Sequence, residues 1–111
     1  MDRPDPGNAS GASVTAKEGS GAIRGPGPVL IAGEASQAVL EAMKSLNRNL
    51  SVLDRGSYWR VSSASGCRLT RAAVEKRLGK PFLMPGDLEA LMPSFSGRFR
   101  VTEEEARWEE G

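Results

Sequence analysis

The first 28 residues carry no Leu, Phe, Trp or Tyr, and 13 of them are Gly, Pro or Ser. A segment of that kind buries too little apolar surface to offset the conformational entropy lost on ordering. Residues 1–28 are therefore expected to form a flexible arm, with Ile23 and Arg24 its most adhesive part. They also lack the apolar stretch of a secretion signal. Folding is left to residues 29–111, one domain, in which a chain of this length hides only about 60–65% of its unfolded surface. No apolar run approaches the roughly 20 residues that span a bilayer. The expectation is a small globular domain in a reducing, cytoplasmic compartment, with no membrane partner.

The residue inventory narrows the chemistry. The chain has no histidine, so Ser-His-Asp and Cys-His catalysis and His-ligated metals are ruled out. A single cysteine, Cys67, supports neither an internal disulfide nor a thiolate zinc site. It has Arg68 beside it but no base, and reads as a half-buried strand thiol rather than a nucleophile. Glu103, Glu104 and Glu105 are consecutive and point in different directions, so they read as solvated turn charge rather than a metal cluster. Gly19, Gly21 and Gly25 have the spacing G-x-G-x-x-x-G with no strand before them, which does not make a dinucleotide loop. No catalytic residue, cofactor site or metal site is expected.

The pattern of elements reads as follows. Residues 29–31 form a short apolar run taken as a buried strand. Residues 34–46 have helical spacing, with Val39, Leu40, Met43 and Leu46 on one stripe and Asn47 or Asn49 as terminator. Residues 50–53 and 58–61 are strands joined by the turn residues Asp54, Arg55 and Gly56. Residues 67–69 form the next strand. Thr70 is a helix N-cap, Val74 and Leu78 are the core pair of a helix over 71–78, and Gly79 ends it. A third helix covers 85–91, with Pro85 in its first position. Strands over 97–101 and 106–109 close the chain. The order β-α-β-β-β-α-α-β-β predicts an α+β fold, an antiparallel sheet with two to three helices packed on one face.

Charge is unevenly spread. The net charge of +1 conceals a segment, residues 44–80, with nine basic and two acidic residues. That segment is either a solvated exterior or a docking face for an acidic surface. It also supports a second reading, a small RNA-binding module. The stretch from Arg55 to Val61 is a weak version of an RNA-recognition motif, with Ser57 where a stacking aromatic belongs. Tyr58 and Trp59 alternate across a strand, so one belongs to the core and the other to the surface. Residues 91–97 place Met92 and Phe95 among Pro and Gly, too broken for a regular strand. They form either a turn whose apolar side chains fold back into the core or a contact loop anchored by Phe95.

An ordered set of residues carries a family resemblance. It runs Val52-Leu53-Asp54-Arg55, Tyr58, Arg60-Val61, Leu69-Thr70-Arg71, Glu75, Leu78-Gly79-Lys80-Pro81-Phe82, Met84, Leu88-Glu89 and Ser94-Phe95-Ser96-Gly97. The set resembles the effector, or coupling, proteins of soluble diiron multicomponent monooxygenases, especially the four-component toluene and alkene systems. The resemblance implies a cofactor-free protein that does no chemistry. Its implied partner is a diiron hydroxylase oligomer, whose iron site and substrate and oxygen access it tunes while coupling NADH use to product. It also implies competition with a Rieske ferredoxin for the same hydroxylase surface. On this basis Met92, Pro93, Ser94, Phe95 and Ser96 are expected hydroxylase contacts. Asp54, Arg55, Tyr58 and Arg60 are read as mainly structural. Arg71, Lys76 and Arg77 are added as electrostatic contacts on charge alone. Under this reading the protein binds no nucleic acid and is monomeric when free.

Overall fold

A computed structural model describes residues 25–110 of the chain. The expected arm thus lies outside the described residues up to position 24, and so do Ile23 and Arg24. Its last residues are part of the fold. Pro26, Gly27 and Pro28 are buried, and the first strand, β1, spans Gly27–Ile31, two residues ahead of the expected start. The carbonyl of Pro26 accepts a hydrogen bond from Ser63 N at 3.1 Å, which ties this entry segment to the body.

The remaining elements are α1 (Glu34–Leu46), β2 (Ser51–Asp54), β3 (Tyr58–Ser62), β4 (Cys67–Thr70), α2 (Arg71–Leu78), α3 (Gly86–Leu91), β5 (Ser94–Ser96), β6 (Arg98–Val101) and β7 (Glu105–Glu109). All strand pairings are antiparallel, which gives the expected α+β class. The strands divide between two sheets rather than forming one. A four-stranded sheet has the order β2-β3-β1-β5 and a three-stranded sheet the order β4-β7-β6. Residues 94–96 form β5, a strand where a broken loop was expected. Its partner β1 lies far away in sequence, so local pattern could not reveal the pairing.

β1 is an inner strand with a proline in it, which normally breaks a ladder. Here the pairing with β3 covers only Val29, Leu30 and Ile31, while the pairing with β5 covers Gly27, Pro28 and Val29. The missing N–H of Pro28 therefore falls where the β3 ladder has already ended.

Local chemistry explains the elements that were expected. In the β2–β3 turn, Gly56 N donates to Asp54 Oδ1 at 2.7 Å and Arg55 N to the Tyr58 carbonyl at 2.9 Å. Thr70 Oγ1 accepts from Ala73 N and caps α2, and Gly79 closes it in the left-handed region with φ 78. Pro85 is the N-cap of α3 rather than its first residue. Asn47 ends α1 and does more: its side-chain amide donates to the carbonyls of Met43 and Arg68 and accepts from Arg68 N. The end of α1 is thereby fixed to β4. α1 packs on α2 and β4, and the common core includes Leu30, Val39, Met43, Leu69, Val74, Leu88 and Trp108, all 0% exposed.

Gly97 joins the two sheets. It has φ 85, and a Cβ there would collide with the Glu109 carbonyl and with Pro26. The left-handed conformation alone costs a side chain about 1–2 kcal/mol. Gly97→Ala is expected to lose at least about 2 kcal/mol, lowering the melting temperature by roughly 10 °C in a domain of this size.

Candidate functional site

The candidate site is built where α3 gives way to β5. Met92 caps α3, its N–H reaching the Glu89 carbonyl at 3.3 Å, and its side chain is only 7% exposed within the core. Met92, an expected hydroxylase contact, is thus placed in the core of the free protein. Its apolar side chain gains more by packing in the core than by facing water, so it anchors the segment instead. Pro93 follows, exposed, and stops the helix. Ser94, Phe95 and Ser96 are exposed and pair with Val29, Pro28 and Gly27 along the edge of the four-stranded sheet.

Strand alternation sends Phe95 one way and Ser94 and Ser96 the other. The Phe95 ring lies 5.2 Å from Phe99, and the Phe99 ring lies 5.2 Å from Trp108. Three tilted rings thus run from a residue 45% exposed to one fully buried. Phe95 is held from behind and open in front. Ser94 and Ser96 share their face with Val29 and Ile31 of β1 and with Tyr58 and Arg60 of β3, by register. Val29, Tyr58 and Arg60 are half-buried and Ile31 is 46% exposed. The expected buried strand over 29–31 is therefore buried only at Leu30. An apolar triplet does not announce which of its residues face outward. Trp59 packs against the core while Tyr58 lies on the opposite face, as strand alternation requires.

The other expected contacts lie on a different element. Arg71 is half-buried and bound through Nη2 to both carboxylate oxygens of Glu104, at 3.0 and 2.8 Å. It links α2 to the β6–β7 turn and holds that glutamate. Lys76 and Arg77 are exposed on the same helix, which packs on α1 and β4, whereas β5 pairs with β1. The two groups of expected contacts share no supporting element.

Among the described residues no three His, Cys, Asp or Glu side chains come together as a metal site. Glu104 and Glu105 engage separate arginines instead, Arg71 and Arg68. Cys67 is more buried than expected, 6% exposed, and burial pushes its thiol up to about 12. At pH 8 it holds about a thousandfold less thiolate than an ordinary thiol. A disulfide reagent is expected to modify it far more slowly in the native than in the unfolded protein. An unfolded thiol ionises from about pH 9 while the folded one keeps its proton, so stability falls as pH rises from there toward 12.

Comparison with known proteins assigns the class. The family model described as "MmoB/DmpM family" matches residues 25–109. The chain belongs to the MmoB/DmpM family. It is 40% identical over 84 residues to a protein from Xanthobacter autotrophicus (strain ATCC BAA-1158 / Py2) named "Alkene monooxygenase system, effector subunit", covering 74% of this chain and 82% of that one. A chain in a solved structure of a phenol hydroxylase–regulatory protein complex has the same fold, with a TM-score of 0.68 at 15% identity, covering 76% of this chain and 95% of that one. The Xanthobacter relative bears the name of an effector subunit, and the solved complex is named for a regulatory protein beside the hydroxylase.

Proposed function

We propose that this protein is the effector of a diiron multicomponent monooxygenase and docks on the hydroxylase component through Pro93, Ser94, Phe95 and Ser96. The outer face formed by Ile31, Tyr58 and Arg60 extends the contact. Bound there, the protein tunes the partner's diiron site and its substrate and oxygen access, and couples NADH oxidation to hydroxylation or epoxidation of a hydrocarbon. It acts in the cytoplasm, is monomeric when free, and competes with a Rieske ferredoxin for the same surface. The observation that carries the reading is Phe95, an exposed ring backed by a fixed aromatic stack, in a chain of an effector family.

Such a protein works by differential binding. It holds one state of the hydroxylase more tightly than another and shifts the equilibrium only by that difference. About 3 kcal/mol of difference moves populations roughly a hundredfold. One apolar anchor with a few desolvated polar contacts is sufficient for that. Gel filtration with a diiron hydroxylase component from the same source tests the reading. Co-elution at one effector per active site is expected, and separate elution at micromolar concentrations contradicts it.

A further inference from the structure

The outer face of the three-stranded sheet has an unusual charge arrangement. Arg68 of β4 stands directly opposite Arg107 of β7, and Arg107 directly opposite Arg100 of β6. Three guanidinium side chains therefore lie in one row across three strands. All three are substantially exposed, at 42%, 50% and 65%. Like charges directly opposed across strands are destabilising. Glu105 and Glu109 offset part of this. Glu105 accepts from Arg68 at 2.9 Å and stands 3.3 Å from Arg107, and Glu109 stands 3.8 Å from Arg100. The guanidinium of Arg68 holds the Glu105 carboxyl below the usual carboxylate range. With Arg98 on the same face of β6, four arginines face two glutamates. The face therefore keeps an excess of positive charge.

The row is continuous with the candidate site. β5 leads into β6 through Gly97, and the rings of Phe95 and Phe99 meet on the inner side. Within their own strands, Ser94 and Ser96 alternate away from Phe95, and Arg98 and Arg100 away from Phe99. Neighbouring strands lie about 4.8 Å apart, so the row spans about 10 Å. Carboxylates one turn apart on a helix are spaced by about 5–6 Å, a close match. Single-stranded RNA fits less well, because this face has no aromatic on which bases stack and carries two carboxylates.

We propose that Arg68, Arg107 and Arg100 form a second docking surface that takes a row of carboxylates on a surface helix of the hydroxylase. The inference rests on the effector reading above. Arg107→Glu tests it, since it makes the row alternate in sign. Affinity for the purified hydroxylase, measured at about 0.05 M salt where screening is weak, is expected to fall at least tenfold. The deficit shrinks as salt rises, and the melting temperature stays equal to or above that of the wild type. Lys44→Glu, the same charge change on α1, is expected to bind within twofold of the wild type. Wild-type binding with R107E unchanged overturns the second surface alone. So does equal loss in R107E and K44E, or binding of a single-stranded RNA oligonucleotide that R107E abolishes while hydroxylase binding persists. A wild type that binds no hydroxylase overturns this surface and the effector reading together.

Discussion

Trp108→Ala is expected to cost about 3–5 kcal/mol and leave the domain close to unfolded at 25 °C. The magnitude is that of removing a large aromatic from a packed core. Trp108 is fully buried and central: its strand lies between β4 and β6, it stands opposite Cys67 and Phe99, and its ring packs on Phe99. A domain of this size has about 5–10 kcal/mol to lose. Urea unfolding followed by circular dichroism is expected to show the midpoint falling by about 2–4 M. Its Nε1 has no acceptor among the described residues. Trp108→Phe keeps most of the apolar surface and removes that unpaired donor, so its loss is expected to be much smaller than that of the alanine variant. Equal losses from the two substitutions would contradict this account of the core.

Phe95→Ala separates binding from folding. The side chain is almost half exposed and has the Phe99 ring behind it. Its loss is expected to cost less than about 1 kcal/mol of stability, as surface substitutions usually do. On the proposed reading the ring is the apolar anchor of the complex, and truncating such an anchor costs about 2 kcal/mol or more, roughly thirtyfold in affinity. The expected result is a hydroxylase dissociation constant raised about thirtyfold, with a melting temperature near that of the wild type. An unchanged dissociation constant would move the docking face away from β5.

Much of this fold is legible in sequence because its signals are local. α1 has an apolar stripe and a terminating asparagine, α2 a threonine cap and a closing glycine, and the β2–β3 hairpin its Asp-Arg-Gly turn. The family motifs likewise have physical reasons. Leu69, Thr70 and Arg71 are a core residue, a helix cap and the partner of Glu104. Leu78 to Phe82 end a helix and return to the core, with Phe82 N donating to Glu75 Oε2 at 2.9 Å. The glycine after Ser94-Phe95-Ser96 is the joint between the sheets. Non-local features did not show. β5 has only three residues, and its strand character comes from β1. The division into two sheets is likewise a matter of distant pairing. Met92 and Phe95 look alike in sequence, yet one is buried and the other exposed, because strand and helix geometry place them on opposite sides of Pro93. Counting charge by segment put the basic face in residues 44–80. The guanidinium row instead combines Arg68 from that segment with Arg100 and Arg107 from beyond it.

The most direct test of the effector reading is product formed per NADH consumed in a reconstituted system. Hydroxylase, ferredoxin and reductase from one source are supplied with NADH, oxygen and a small alkene or toluene, and this protein is titrated in. Product per NADH is expected to rise to a maximum near one effector per active site and then to decline as excess effector displaces the ferredoxin. A flat titration, with no effect on rate or on product per NADH at any ratio, would contradict the effector reading.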